Sequence, residues 1–219
     1  MKWINSLKDS KIPYYTYKLN QSDSVIIFEN HQSNNQLIIV LYGTLHILKI
    51  FRSKKRIPII IIGENNLFNI HSTNNQFYYK LIALEKTYII KTTISSNNIY
   101  SKINIKLLSN IMEGYKKTLE IHEHINEIVK QKQTRNRIIQ AILLLLLNFG
   151  IVKNGQIYLP FKLSQKDLSL ISQTNEERTS KIIRNINNEW GLRYSTKRCI
   201  QTQDLLKLTV EKNKCYNSY

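Results

Sequence analysis

The sequence is poor in cysteine and in long apolar runs, and each shortage excludes a class of protein. Its two cysteines, Cys199 and Cys215, cannot supply the four thiolates of an iron–sulfur cluster or the framework of a disulfide-rich secreted domain. The stretch MKWINSLKDSK lacks the apolar segment of a signal peptide. The most apolar run, Ile138–Val152, contains Gln140 and Asn148 and falls short of the roughly 20 residues of a membrane span. We therefore expect a soluble protein of a reducing compartment, without membrane association.

Motifs of the common enzyme classes are also missing. The sequence contains no glycine-rich phosphate loop, no nucleophile elbow and no paired CxxC motif. His122, Glu123 and His124 suggest a metal site, but residues two apart on a helix face different directions and cannot bind one ion together. A peripheral-membrane role would need an amphipathic helix with Trp or Phe above a basic rim, which we do not find. We expect no enzyme activity, no catalytic residue, no metal site and no cofactor.

Basic residues are abundant. The formal net charge is +17 and the isoelectric point is about 9.8, so nucleic acid is the first partner to consider. Residues 1–130 hold 17 basic and nine acidic residues, and residues 131–219 hold 15 and six. The basic character is therefore concentrated in the C-terminal part. Heavy use of Ile, Asn, Lys and Tyr is typical of an AT-rich genome, so part of the lysine content reflects base composition.

Short β-branched segments, separated by polar clusters, extend from about Ser24 to Thr93. Regular spacing of this kind predicts a small antiparallel sandwich or barrel. Gly43, in the middle of IVLYGTLHIL, indicates a turn or bulge between two strands.

The hydrophobic period changes near Ile103 and predicts one amphipathic helix over residues 102–131, followed by a second over Arg135–Phe149. A single apolar seam of this length is more than one small domain buries, which favours a self-paired dimer helix. The alternative is a helix packed only on its own β domain. The seam consists of Leu107, Ile111, Tyr115, Thr118 or Leu119, His122, Ile125 and Val129.

The stretch Leu163–Ile186 has the pattern of a helix-turn-helix. Ser164 is a good N-cap for the first helix, and Asp167 completes a capping box. Gln173 stands at the tight turn, where a left-handed backbone costs a residue other than glycine about 1 kcal/mol. The following stretch, GLRYSTKRCIQTQDLLKL, predicts a turn and two short strands, as in a winged module. The predicted inward face is formed by Leu168, Ile171, Ile182, Ile183 and Ile186.

Four motifs in this order resemble the cyclic-AMP receptor/FNR (CRP/FNR) superfamily of transcription regulators. Within it, they are most similar to the global nitrogen regulators of the NtcA type in cyanobacteria and their plastid-encoded counterparts in algae. The motifs are IVLYGTLHILKIF (Ile39–Phe51), GENNLFNIHS (Gly63–Ser72), NRIIQAILLLLLNFG (Asn136–Gly150) and LSQKDLSLISQT (Leu163–Thr174).

The resemblance implies an α+β chain with four parts: a β-roll effector domain of the cyclic-nucleotide-binding jelly-roll type (1–101), a long dimerisation helix (102–134), a winged helix-turn-helix (135–210) and a basic tail (211–219). It also implies a homodimer on palindromic promoter DNA, with recognition helices one DNA turn apart, and contact with RNA polymerase. The expected location is the plastid (chloroplast) stroma if the gene is plastid-encoded, and otherwise the bacterial cytoplasm.

The nitrogen regulators bind 2-oxoglutarate in a pocket between the β-roll and the long helix. No arginine occurs between Arg56 and Arg135, so the expected bidentate contacts to the ligand carboxylates are missing. Losing two of them costs roughly two to four orders of magnitude in affinity. Cyclic AMP has the same difficulty, since its phosphate also needs the missing arginine, and the identity of any effector stays open. The positions that match the family pocket, here degraded, are Phe68, Asn69, Ile70, His71, Gln76, Thr118 and Glu123.

The reading helix departs from the family as well, because Glu176 replaces its first arginine and Lys181 its last. One interpretation retains DNA binding with an altered sequence preference, in which Glu177 accepts from a cytosine amino group while cations hold bases and phosphates. The alternative is a dimeric small-molecule-binding module that has lost specific DNA binding. The candidate DNA-binding residues are Ser164, Gln165, Lys166, Thr174, Asn175, Glu177, Arg178, Ser180, Lys181, Arg184, Lys197 and Arg198.

Overall fold

The computed structural model describes residues 2–27, 36–70, 77–93, 104–190, 193–194 and 200–202. The chain forms two compact units, Met1–Glu123 and His124–Tyr219, and the division falls inside a helix. Four predicted site residues, His71, Gln76, Lys197 and Arg198, lie outside the described residues, as does the tail 211–219.

The first unit begins with helix α1, Lys2–Asp9. Its strands are β1 Tyr14–Leu19, β2 Ser24–Ile27, β3 Gln36–Tyr42, β4 Leu45–Phe51, β5 Arg56–Ile62, β6 Leu67–Ile70, β7 Phe77–Ala83 and β8 Thr87–Thr93. They form a β-sandwich of two four-stranded antiparallel sheets, ordered β1-β8-β3-β6 and β2-β7-β4-β5. This confirms the predicted α+β class with an N-terminal β-roll.

The turn predicted at Gly43 is present between β3 and β4. Its φ is +83°, and a Cβ added there would lie 2.6 Å from the Lys86 carbonyl oxygen. Only glycine combines that backbone with so close an approach.

Helix α1 and strand β1 were not predicted. Trp3 and Leu7 of α1 are nearly fully buried, and they pack in one apolar cluster with residues of β3, β6 and β8. An eight-residue helix shows too few turns for its periodicity to stand out. The cluster covers the face of the β1-β8-β3-β6 sheet that points away from the other sheet.

The long helix α2 covers Ile105–Lys130 and begins after Asn104, whose side-chain oxygen accepts from the Leu107 amide at 2.7 Å. The predicted seam was wrong at its start, because Leu107 and Ile111 are buried in the core of their own unit. A different face carries exposed apolar side chains. These are Ile105, Leu108, Met112 and Leu119, with exposed fractions of 88, 50, 65 and 58%.

The second unit contains helices α3 (Thr134–Phe149), α4 (Gln165–Ile171) and α5 (Glu176–Trp190). A four-stranded sheet, ordered β11-β12-β10-β9, is built from β9 Ile151–Lys153, β10 Gln156–Tyr158, β11 Arg193–Tyr194 and β12 Ile200–Thr202. The β9–β10 hairpin was missed, although Asn154 and Gly155, with φ of +52° and +70°, are an Asn-Gly turn. Among the described residues no helix is long and apolar enough to span a membrane.

Candidate nucleic-acid interface

Helix α4 starts with the predicted capping box. The Asp167 amide donates to Ser164 Oγ at 3.0 Å, and the Ser164 amide donates to Asp167 Oδ2 at 3.1 Å. The two reciprocal bonds satisfy amides that the helix itself leaves unpaired. The first helix of the motif therefore begins at a defined residue.

The turn between α4 and α5 is held by hydroxyl groups. Gln173 has a φ of +48°, which confirms the left-handed backbone predicted for this position. The Ser172 hydroxyl donates to the Leu168 carbonyl at 2.7 Å. Thr174 Oγ1 lies 2.9 Å from Ser172 Oγ and 2.7 Å from Thr179 Oγ1. This chain of contacts compensates for the missing glycine, because it fixes the residues on both sides of Gln173.

Helix α5 begins after Asn175, whose side-chain oxygen accepts from the Glu177 amide at 2.8 Å. The exposed carboxylates of Glu176 and Glu177 follow in the first turn. Negative charge at a helix N-terminus is favourable because the helix dipole is positive there. The two acids are thus compatible with the helix start.

One stripe of α5 is buried and the opposite stripe is exposed. Ile183 and Ile186 are buried as predicted, whereas Ile182 is only half-buried and Thr179 completes the inner face. Turn by turn, the outer stripe carries Glu177, Lys181 and Arg184, all exposed. At this spacing the three side chains share one face of the helix. One carboxylate and two cations are therefore presented together.

The other candidate residues on the motif divide into exposed and engaged groups. Lys166 is exposed on α4. Ser180 donates a hydrogen bond to Gln165 and so joins α5 to α4. Arg178 is exposed, with Nη1 3.5 Å from Thr134 Oγ1 at the start of α3. Together with Thr174 and Asn175, Gln165 and Ser180 have structural contacts that sequence reasoning did not assign.

Strand β11 is tied to the motif through Tyr194. Its hydroxyl donates to the Leu163 carbonyl at 2.5 Å, and its amide donates to Asn187 Oδ1 at 3.1 Å. These bonds join the sheet of the second unit to α5 and to the residue that precedes the N-cap of α4. Lys197 and Arg198 follow β11 in sequence and stay predictions.

Three of the predicted effector positions, Phe68, Ile70 and Thr118, are packed or hydrogen-bonded within the first unit. The Phe68 ring is 5.5 Å from the Tyr79 ring in an edge-to-face contact between the two sheets. Ile70 is buried, Asn69 is half-buried and Glu123 is exposed on α2. The hydroxyl of Thr118 bonds the backbone of Leu67 in β6.

One lysine of the first unit, Lys49, was not among the predicted site residues. Lys49 on β4 has its Nζ 3.6 Å from the centroid of the Phe77 ring, with Phe51 and Tyr79 packed beside that ring. An ammonium group over an aromatic face is a cation–π contact. The strand register brings these side chains together, since Lys49 pairs with Tyr79 and Phe51 pairs with Phe77, and the sequence alone does not reveal that pairing. Within the described ranges no group of three His, Cys, Asp or Glu residues is placed to bind a metal ion.

Comparison with known proteins agrees with this architecture. No family model matches the sequence. The putative HTH-type transcriptional regulator ycf28 of Porphyra purpurea is 27% identical over 186 residues, covering 83% of this chain and 75% of the relative. A transcriptional regulator of the CRP/FNR family from Thermus thermophilus superposes with a TM-score of 0.68 at 16% identity, over 90% of this chain and 97% of the other.

The chain has the fold of the CRP/FNR transcription regulators. A CooA mutant from Carboxydothermus hydrogenoformans also superposes, with a TM-score of 0.69 at 18% identity, over 94% of this chain and 89% of the other. The CRP/FNR fold accounts for the order of β-sandwich, long helix and helix-turn-helix along the chain.

Proposed function

We propose that the chain is a sequence-specific, DNA-binding transcription regulator of the CRP/FNR type, without enzyme activity, which binds double-stranded promoter DNA. The observation that carries the proposal is the helix-turn-helix. Side-chain hydrogen bonds cap the N-termini of both helices of the motif, and α5 exposes Lys181 and Arg184 on one face. The excess of basic residues in the second half of the chain supplies the attraction to phosphate.

The proposed reading of DNA places α5 in the major groove with its exposed stripe toward the bases. Lys181 and Arg184 contact phosphate or guanine, and Glu177 accepts a hydrogen bond from a cytosine amino group. The phosphates of the DNA backbone are contacted by Lys166, Arg178, Lys197 and Arg198. Because Glu176 replaces the arginine of the nitrogen regulators, the preferred site differs from theirs even if the promoters are nitrogen-related. RNA polymerase is the proposed downstream partner.

We propose a homodimer formed through α2. The exposed apolar residues Ile105, Leu108, Met112 and Leu119 follow three-, four- and seven-residue steps of a heptad seam. Tyr115, between the last two, is half-buried against the apolar cluster of its own unit. A parallel pair would place two helix-turn-helix motifs on two half-sites of a palindrome. None of these seam positions carries a charge. A second copy of the same helix, with the same apolar positions, is therefore the occupant that we propose.

The effector pocket of the nitrogen regulators is degraded in this proposal. Thr118 occupies the position of a ligand arginine and uses its hydroxyl on the backbone of its own chain. The proposed location is the plastid stroma, supported by the AT-rich composition and the resemblance to the algal plastid regulators. If the protein were located in a bacterial cytoplasm, the proposed DNA contacts would be the same.

A salt titration tests the function. Fluorescence anisotropy would measure the binding of purified protein to a duplex enriched from its own bound fraction and to an unrelated duplex of equal length. We expect selective binding that falls steeply with salt, since cations on the protein release counterions from phosphate. Equal, weak binding of both duplexes would instead favour a dimeric small-molecule-binding module.

A further inference from the structure

The backbone of α2 lies directly against strand β6. A Cβ added to Gly114 would come within 2.7 Å of Leu67 Cγ, 2.8 Å of Leu67 Cδ1 and 3.0 Å of the Asn65 carbonyl oxygen. The two contacts with Leu67 are closer than real Cβ atoms make, so the missing side chain is what allows the helix to approach. At this point no space for a ligand separates helix from strand.

One helical turn later, a hydroxyl group bonds the same strand residue. Thr118 Oγ1 accepts from the Leu67 amide at 3.1 Å and lies 2.7 Å from the Leu67 carbonyl oxygen and 3.0 Å from the Gly114 carbonyl oxygen. Strand β6 is at the edge of its sheet. The side of Leu67 that faces away from β3 therefore finds its hydrogen-bond partner in α2 instead of in another strand.

Helix α1 forms one hydrogen bond to the residues just before β6 and another to α2. Trp3 Nε1 donates to Asn65 Oδ1 at 3.1 Å, just before β6. On the helix side, Asn110 Nδ2 donates to Ser6 Oγ at 2.9 Å in a buried position. Leu67 itself is fully buried among the apolar residues of α1 and α2. Strand, long helix and N-terminal helix thus form one interlocked contact.

We propose that this contact, Gly114 and Thr118 of α2 on Leu67 of β6, is a built-in clamp. It fixes the long helix in the DNA-binding arrangement without a small-molecule effector. A ligand shifts an equilibrium only through contacts that differ between two states, and the chain's own groups already occupy the helix–strand contact. Thr118 is then a positioning residue that acts through α2. The proposal rests on the proposed DNA-binding function.

The test compares Thr118→Val with Thr118→Ser. Valine keeps the shape of threonine and removes the hydroxyl, whereas serine keeps the hydroxyl. Anisotropy with the enriched duplex, without added small molecule, should show Thr118→Val binding weakened by up to about five- to thirtyfold, the equivalent of one to two lost hydrogen bonds. Thr118→Ser should stay within about threefold of the unmodified protein, since only a methyl group is lost. Sedimentation and circular dichroism would confirm that both variants are folded dimers.

A ligand titration of the unmodified protein does not depend on any variant folding. Saturating 2-oxoglutarate or cyclic AMP should change its affinity for the enriched duplex by less than twofold. A protein that binds DNA only after either ligand is added would overturn the clamp and leave the proposed function standing. Equal DNA affinity of Thr118→Val and the unmodified protein would also overturn the clamp alone. Failure to bind any duplex selectively, with or without ligand, would overturn both proposals.

Discussion

The two units of the chain differ in where their polar side chains are directed. In the second unit, Ser164, Thr174 and Asn175 form hydrogen bonds inside the helix-turn-helix, and Lys181 and Arg184 are exposed. In the first unit, polar groups at the predicted effector contact bond the chain's own backbone, as Thr118 does with Leu67. The hydroxyl of Thr118 is thus used inside the first unit, whereas the cations of α5 in the second unit face solvent.

The largest expected effect comes from a charge in the α2 seam. We expect Leu119→Asp to weaken dimerisation more than a hundredfold, because a buried, unpaired carboxylate costs about 3–5 kcal/mol. DNA binding should fall with it, while both units stay folded. Sedimentation velocity measures the first effect and anisotropy the second. Lys106→Asp, on an exposed position of the same helix outside the seam, is the matched control. A fully dimeric Leu119→Asp protein would show that α2 does not pair through this face.

Replacing a buried residue of α2 should affect stability instead of association. Leu107 is fully buried in the first unit, and Leu107→Ala should lower its free energy of unfolding by about 2–5 kcal/mol. The dimer dissociation constant, measured under native conditions, should stay unchanged. Ile105→Ala, two residues away and 88% exposed, should show the reverse pattern. If both variants changed the same quantity, the assignment of two separate faces to α2 would be wrong.

A smaller effect is expected at the outer face of α5. Lys181→Ala should weaken binding of the enriched duplex by about 1–3 kcal/mol if the lysine contacts a base. If it contacts phosphate only, the logarithmic salt slope should fall by about one, with equal weakening on all sequences. Lys116→Ala in the first unit serves as the control. An unchanged affinity and slope for Lys181→Ala would remove α5 from the proposed interface.

The smallest effect concerns the ion pairs of Glu113. Hydrogen bonds from Lys2 and Lys117 lower the pKa of Glu113 below its ordinary value of 4.5. A lowered pKa in the folded state adds stability above the unfolded pKa, and that stability is lost as the pH falls through the folded value. Glu113→Gln should therefore lower the melting temperature slightly at pH 7. The difference should vanish well below pH 4.5. A difference that persisted there would show that the effect is not electrostatic.

The helix-turn-helix could be predicted from the sequence because its caps and its turn depend on short-range interactions. Ser164, Asp167 and Gln173 each act through neighbours within a few residues, so the capping box and the left-handed turn could be predicted correctly. The same holds for Gly43. Thr179 was not predicted on the inner face, although it stands four residues before Ile183, because its side chain is polar; the contact with Thr174 Oγ1 accommodates its hydroxyl there.

Long-range contacts could not be predicted in the same way. Helix α2 carries two apolar faces whose three- and four-residue spacings overlap, so the predicted seam combined Leu107 of one face with Leu119 of the other. The contact of Gly114 with Leu67 joins residues distant in sequence, and a glycine within a helix gives no local indication of a partner. The Asn154-Gly155 dipeptide, by contrast, is a short-range indication of a hairpin turn that the sequence analysis overlooked.

Selection of random-sequence duplex DNA by the purified, effector-free protein, followed by sequencing of the bound fraction, tests sequence-specific DNA binding directly. The proposed dimer predicts an enriched palindrome with half-site centres about 10 base pairs apart. Its half-sites should differ from those of the nitrogen regulators at the bases read by Glu177 and Lys181. Recovery of unenriched sequence at every round would contradict the assignment of the chain as a DNA-reading regulator.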